Sequence, residues 1–137
     1  MSISFRTATP ADEYNVVRVW QACDLIRPWN NPGTDFRSSV STANASVIVA
    51  TTADEIVGTV MAGYDGHRGW IYYLGVRPEL RGQGIAVALL VEAEAWLAAL
   101  GCPKVELMVR DGNPAHEFYE RLGWNREPVS VFSRWLI

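Results

Sequence analysis

The sequence lacks any run of lysine and arginine, and its formal net charge at pH 7 is -3. Nucleic-acid binding therefore has no electrostatic support. No apolar stretch approaches the ~20 residues that a membrane span needs. The first residues, "MSISFRTATP", have neither the basic segment nor the apolar segment of a signal peptide. We expect a cytoplasmic protein that binds neither nucleic acid nor a membrane.

Cysteine is scarce, since only Cys23 and Cys102 occur and neither has a second pair of ligands near it in the sequence. We expect two reduced thiols that act as small buried hydrophobes, with no disulfide and no metal site. Internal repeats, linkers and low-complexity segments are also missing. With 137 residues, about half of them apolar, the chain fits a single domain over residues 1–137.

Hydrophobic periodicity and turn residues predict an α/β domain with a mixed sheet. Thr9 and Pro10 open the first helix, and Ala53-Asp54 joins two β-branched runs into a hairpin. The predicted strands cover residues 3–8, 46–52, 55–65, 70–76, 104–110 and 129–137, and the predicted helices cover residues 9–24, 34–42, 84–100 and 113–123.

The stretch "LGVRPELRGQGIAVALL", residues 74–90, leads from the fourth strand into the longest helix. The first N–H groups of a helix have no partner within it, and the helix dipole gives that end a partial positive charge. Glycines at 82 and 84 leave room for a phosphate to approach, and Arg81 adds a charged donor. The junction is therefore suited to an anionic group.

Two common phosphate-binding motifs do not fit this loop. A dinucleotide fingerprint needs a third glycine three residues after Gly84, where this chain has Val87. A P-loop needs Lys and Ser or Thr after its last glycine, where this chain has Ile85 and Ala86.

The loop does match the pattern R/Q-x-x-G-x-G/A, filled by Arg81, Gly84 and Ala86. With the preceding "LGVRPEL", it resembles the acetyl-CoA-binding motif of the GNAT superfamily of N-acetyltransferases. The segment "NPAHEFYERLGW" is similar to the closing helix of that family. The resemblance implies a GNAT-type fold, with a mainly antiparallel sheet of six to seven strands, about four helices, and strands 4 and 5 splayed. It also implies acetyl-CoA as co-substrate and no metal.

The resemblance implies roles for particular backbone groups. Pyrophosphate would lie on the loop and helix start, and the pantetheine arm of CoA would pair with strand 4 through Leu74, Gly75 and Val76. The N–H of Val76 would polarise the acetyl carbonyl. Gly75 marks either a bulge or a packing position. Asn113 either contacts CoA or only caps a helix, because its spacing to Tyr119 is one residue short of the family pattern. The loop residues concerned are Arg81, Gly82, Gln83, Gly84, Ile85, Ala86 and Val87.

For catalysis, the resemblance implies direct attack of an amine on the thioester. Tyr119 stands where the family places the acid for the departing thiolate, although it could instead only pack against CoA or the core. Some relatives use a glutamate on strand 5 as base, but Met108 holds that position here, and Glu106 on the same face could substitute. A water relay is another alternative. Further candidates, or only solvated turn residues, are Asp65, His67 and Asp111.

The acceptor is expected to bind under the loop "CDLIRPWNNPG", which covers the acceptor end of the cleft in this family. Trp29 offers an apolar wall, while Arg27 and Asp24 either clamp an amino-acid-like zwitterion or brace each other. Tyr72 and Tyr73 face opposite sides of strand 4, so one of them would face the cleft. The implied acceptor is a primary amine on a small molecule or a protein. The alternative is a CoA-binding module without catalysis. Because relatives in this family are often dimers, the resemblance also implies a homodimer as one alternative.

Overall fold

A computed structural model of the chain describes residues 2–137. Their contacts divide into two compact units, one up to Leu107 and one from Met108 onward. A single domain over 1–137 stays a prediction. The first unit contains β1 (Ser4–Thr7), α1 (Glu13–Ala22), α2 (Pro32–Ser41), β2 (Ala45–Thr52), β3 (Glu55–Tyr64), β4 (Gly69–Val76), α3 (Ile85–Ala99) and β5 (Val105–Leu107), and the second contains α4 (Ala115–Arg121).

Local side-chain contacts start two of the helices. The carboxylate of Asp12 accepts a hydrogen bond from the backbone N–H of Thr9 at 2.8 Å, in the 3₁₀ turn that leads into α1. Asn31 caps α2, because its Oδ1 accepts from the N–H of Thr34 at 3.0 Å. Each contact satisfies an N–H group near the start of its helix, which explains why the chain changes direction there.

The predicted hairpin at residues 53–54 is confirmed. Ala53 and Asp54 have φ values of 49° and 65°, which a two-residue turn needs to match the twist of β2 and β3. The sheet has the order β1-β2-β3-β4-β5, with the first four strands antiparallel neighbours. β5 runs parallel to β4, which requires a crossover, and α3 supplies it.

β2 and β3 are buried on both faces because helices pack on each side of the sheet. Val47 and Val49 join one core cluster with Trp20 of α1 and Phe36 of α2, and all four are fully buried. On the alternate face, α3 packs on β3, where Leu89 lies close to Gly58. The helices on the two faces thus hold the sheet in place. The candidate site begins at the end of β4, at Val76.

Three predictions about the sheet are wrong. The sheet has five strands, where six to seven were predicted, and residues 129–137 form no strand. β5 spans only Val105–Leu107 of the predicted 104–110. The last segment, "VSVFSRWLI", is rich in apolar and aromatic residues, but a strand exists only when a neighbouring strand accepts its backbone hydrogen bonds. Its large apolar side chains are exposed: Val129, Val131, Phe132, Trp135, Leu136 and Ile137.

No helix among residues 2–137 combines the length and apolar character needed to cross a bilayer. The same described residues contain no group of three or more His, Cys, Asp or Glu side chains that could hold a metal ion.

Candidate functional site

The junction between β4 and α3 carries a row of backbone N–H groups. After β4, Pro78–Leu80 form a 3₁₀ turn, and Gly84 is the N-cap of α3 with a left-handed φ of 80°. A side chain at Gly84 would meet no protein atom within 4 Å, so backbone conformation, not crowding, favours glycine there.

The backbone N–H groups at this helix start have no hydrogen-bond acceptor within residues 2–107. Within residues 2–107, no backbone N–H from Gly82 to Val87 donates a hydrogen bond to the protein, and the first such bond of the helix runs from Ala88 N–H to Gly84 O. No side chain caps this helix end. The partial positive charge of a long helix is therefore presented together with unsatisfied donors.

Arg81 is tied to the end of β4. Its Nε donates to the carbonyl of Val76 at 3.1 Å, and the Sγ of Cys23 donates to the same carbonyl at 3.2 Å. Burial raises the pKa of the Cys23 thiol, which keeps it protonated and able to donate. The two contacts fix the orientation of the Val76 carbonyl and hold the arginine beside the loop.

β4 contains a bulge, but not at Gly75. In the ladder with β3, Met61 lies opposite Tyr72 and Thr59 opposite Gly75, so Tyr73 and Leu74 share a single partner position. Tyr73 has a φ of 52°, whereas Gly75 is not left-handed. A side chain at Gly75 would come within 2.9 Å of Leu25 and 3.0 Å of Cys23. Gly75 therefore matches the packing alternative, and the bulge lies immediately before it.

The predicted splay of strands 4 and 5 has a counterpart in the ladder between them. β4 and β5 pair from Gly69 opposite Val105 to Ile71 opposite Leu107, where the ladder ends. Within residues 2–107, the rest of β4 is paired as a strand only with β3. The backbone of Leu74–Val76 thus has an edge without a strand partner in this unit.

Two of the acidic candidates for the base make protein contacts. Glu106 lies opposite Trp70 in the β4–β5 ladder, and its carboxylate forms an ion pair with Arg68 at 3.5 Å. Asp65 accepts hydrogen bonds from the backbone N–H groups of Arg68 and His67, each at 2.8 Å. These bonds hold the pKa of Asp65 below its usual range, which matches a turn residue. Base catalysis by Glu106 stays a prediction.

The second unit holds the predicted acid. Tyr119 lies in α4 and packs edge-to-face on Phe118 and on Trp124, with ring centroids 5.1 and 5.7 Å apart. Burial raises the pKa of Tyr119 to about 12, so its phenol stays protonated at neutral pH. Asn113 Oδ1 accepts from the N–H of Ala115 at 2.8 Å, a contact that matches the capping alternative. We assign no role in the candidate site to His67, Asp111 or Met108.

Three of the predicted acceptor residues lie in the loop between α1 and α2, and the fourth, Tyr72, lies in β4. The Nη1 of Arg27 donates to the backbone carbonyl of Asp24 at 2.8 Å and lies 3.7 Å from its carboxylate. This arrangement is the brace of the two alternatives, although the Asp24 side chain itself remains 97% exposed. Trp29 is 54% exposed and Tyr72 44% exposed, so both offer apolar surface. Tyr73 points into the core against Trp20.

The structure thus brings Cys23, Arg81 and Val76 together at the end of β4, and it adds a residue pair that the sequence did not indicate. The phenol of Tyr73 donates to Asp35 of α2 at 2.6 Å. No sequence signal links these two residues, because the contact depends on how α2 packs on the sheet.

A mixed five-stranded sheet with a bulged fourth strand, a fifth strand that pairs with only part of the fourth, and a glycine-capped helix between them defines an α/β domain. The model of the Acetyltransferase (GNAT) family matches residues 12–124, and the chain belongs to that family.

Solved structures agree with this fold. AAC(6')-Iy, in complex with the bisubstrate analogue CoA-S-monomethyl-acetylneamine, is 14% identical, covers all of both chains and has a TM-score of 0.84. A transcriptional regulator from Bacillus halodurans C-125 is 23% identical over 98% of this chain and 100% of its own, with a TM-score of 0.83. A "predicted acetyltransferase with acetyl-CoA" from Clostridium acetobutylicum is 16% identical over 97% and 96%, with a TM-score of 0.80.

Proposed function

We propose that this acetyltransferase moves an acetyl group from acetyl-CoA to a primary amine of a small molecule or a protein. The observation that carries the proposal is the row of unpaired N–H groups from Gly82 to Val87, beside the free edge of Leu74–Val76. A pyrophosphate needs several donors in one place, and an amide-rich thioester arm needs a strand edge. Along the chain, the strand edge proposed for the thioester arm comes first and the N–H groups proposed for the pyrophosphate follow. These two parts of acetyl-CoA are likewise joined end to end.

In the proposed reaction, the neutral amine attacks the thioester carbonyl, the C–N bond forms and the C–S bond breaks. The amine loses one proton and the thiolate of CoA gains one, so amide and free thiol are the products. We assign Val76 N–H to the developing oxyanion and Tyr119 to the departing thiolate. With a pKa raised to about 12 by burial, the phenol of Tyr119 is protonated throughout the neutral range, as a proton donor must be, and its proton passes to the thiolate as the C–S bond breaks.

We also propose roles for the remaining residues. Glu106 is proposed as the base, acting directly or through water, while Arg68 holds its carboxylate. Asp24, Arg27, Trp29 and Tyr72 are proposed to border the acceptor. Asn113 is proposed to contact CoA in addition to capping α4. The segments "CDLIRPWNNP" and "GYDGHRG" resemble those of bacterial YpeA-type acetyltransferases, and we assign the chain to that subfamily.

The first test is thermal unfolding with and without acetyl-CoA. One site filled at 100 times Kd stabilises a protein by about 2.7 kcal/mol. We expect a rise in Tm with acetyl-CoA and none with acetate at the same ionic strength. If Tm does not move at saturating acetyl-CoA, the proposed cofactor site is wrong.

The second test separates an enzyme from a module that only binds CoA. Release of free thiol is followed while acetyl-CoA is incubated with pools of primary amines, with tertiary amines as the control because they cannot form an amide. We expect thiol release that depends on a primary amine. A protein that binds acetyl-CoA tightly but releases no thiol with any pool would be the non-catalytic alternative.

A further inference from the structure

Tyr73 has an unusual backbone for its position. Five non-glycine residues in 2–137 have a positive φ, and Tyr73 is the one that lies inside a strand. A left-handed conformation costs an L-residue roughly 1–2 kcal/mol. It persists only where the surroundings hold it, and such positions cluster at functional sites. The structure must therefore contain contacts that stabilise this conformation.

Two of these contacts involve the backbone carbonyl and the aromatic ring of Tyr73. The hydroxyl of Thr59 donates to the Tyr73 carbonyl at 2.9 Å and accepts from the indole N–H of Trp20 at 3.0 Å. The Trp20 and Tyr73 rings stack with centroids 3.8 Å apart and an interplanar angle of 9°. Trp20 and Thr59 are fully buried, so this part of the contact is rigid.

The third contact is at the phenol, which donates to Asp35 Oδ2 at 2.6 Å. The short distance is typical of a hydrogen bond to a charged acceptor. Burial and the Asp35 carboxylate both raise the pKa of Tyr73, which keeps the proton on the phenol. We refer to Trp20, Asp35, Thr59 and Tyr73 as the Tyr73 clamp.

The clamp adjoins the segment to which the proposed function assigns the thioester. Tyr73 immediately precedes Leu74, and the bulge of these two residues decides which way the peptide groups of Gly75 and Val76 face. Asp35 lies in the first turn of α2, directly after the loop proposed to border the acceptor. The hydrogen bond between the Tyr73 phenol and the Asp35 carboxylate thus joins β4 to the first turn of α2, next to the proposed acceptor loop.

We propose that Asp35 and Tyr73 are positioning residues for acetyl transfer, because their hydrogen bond holds the β4 bulge that orients the backbone of Leu74–Val76 toward the thioester. This role rests on the proposed function. It concerns the orientation of the reacting end, whereas the pyrophosphate is held by the N–H groups after Arg81. Loss of the bond therefore affects the chemical step more than cofactor affinity.

Three variants test the bond. Tyr73→Phe keeps the ring stack but removes the phenol, and Asp35→Ala removes the acceptor. Asp35→Asn keeps an acceptor oxygen, so it should rescue the bond. Tyr14→Phe is the control, because it also removes one phenol hydrogen bond, in which the Tyr14 hydroxyl accepts from Arg18 Nη1 at 2.9 Å on the exposed face of α1.

We expect Tyr73→Phe and Asp35→Ala to lower kcat at least tenfold, with a change in acetyl-CoA Kd of less than threefold. Asp35→Asn should stay within threefold of the wild type in kcat, and Tyr14→Phe should equal it. A second readout does not need turnover: hydrogen exchange at the amide of Gly75, which lies opposite Thr59 in the β3–β4 ladder, should be at least tenfold faster in Tyr73→Phe, with exchange in β2 unchanged.

The outcomes separate the two proposals. A wild type that does not bind acetyl-CoA overturns the proposed function, and the positioning role with it. An active wild type whose Tyr73→Phe variant keeps its kcat and its slow exchange overturns the positioning role alone. Equal losses in kcat and in cofactor affinity, without rescue by Asp35→Asn, would also overturn it, because they indicate general damage to the fold.

Discussion

Gly84 and Gly101 lie at the two ends of α3 and allow a matched test of the proposed cofactor loop. Their φ values are 80° and 86°, and a side chain at either position would meet no protein atom within 4 Å. Replacing each by alanine therefore adds the same backbone strain and no steric clash. Gly84 adjoins the unpaired N–H groups, whereas Gly101 lies at the opposite end of the helix.

The strain of a left-handed L-residue is about 1–2 kcal/mol, which lowers Tm by roughly 3–10 °C for a chain of this size. Both alanine variants should have a Tm lowered by this amount. Acetyl-CoA should still raise the Tm of each. Glutamate adds a charge. At Gly84 it lies near the positive end of the helix dipole and at Gly101 near the negative end, so Gly101→Glu should be the less stable by about 1 kcal/mol.

Affinity for acetyl-CoA should rank the two glutamate variants in the opposite order, with Gly84→Glu the weaker binder. A carboxylate at Gly84 competes for the N–H groups and repels a pyrophosphate. Two charges about 6 Å apart at an effective dielectric of about 20 repel by roughly 3 kcal/mol, which is about a hundredfold in Kd. Calorimetric titration of acetyl-CoA into the four variants measures this. Gly84→Glu should bind about a hundredfold more weakly and Gly101→Glu as tightly as the wild type. Equal affinities in the two glutamate variants would refute the loop assignment.

Further predictions concern the acid, a helix cap and an ion pair. Tyr119→Phe should lower kcat about a hundredfold with little change in acetyl-CoA affinity, and an unchanged kcat would remove its acid role. Asn31→Ala should lose about 0.5–2 kcal/mol of unfolding free energy, because it uncaps α2, while the neighbouring Asn30→Ala should lose almost none in the same urea titration. The hydrogen bonds from Arg6 hold the pKa of the Asp12 carboxyl below its usual range, so Asp12 stabilises the fold above the unfolded pKa of about 4. Asp12→Asn should therefore be less stable than the wild type near neutral pH, and the difference should shrink as the pH falls through the folded pKa; a gap that does not depend on pH would contradict this.

The elements that could be predicted from the sequence are those determined by nearby residues. The hairpin at Ala53-Asp54 depends on two turn residues between β-branched runs, and α3 depends on a long apolar run that ends before Gly101. The loop after Arg81 also has a local pattern, which is why it could be placed on the correct helix end. Short-range information was sufficient in each case.

The errors have a different origin. Residues 129–137 have the apolar and aromatic composition of a strand, yet whether they pair depends on a partner elsewhere in the chain. For Gly75 the sequence left a bulge and a packing position open, and it could not place the bulge at Tyr73, because distant contacts from Trp20, Asp35 and Thr59 stabilise the left-handed conformation there. A tyrosine with a positive φ has no sequence signature, so neither its backbone nor its partners could be predicted.

The single parallel pair in the sheet has a consequence for the order of folding. β1 to β4 are antiparallel neighbours, and three of them follow each other along the chain through short turns, whereas β5 can pair only after α3 has crossed the sheet. Contacts that close longer loops form later on average. We therefore expect the β4–α3 junction to be completed after the main folding barrier. A ligand bound there would slow the unfolding rate and leave the folding rate nearly unchanged.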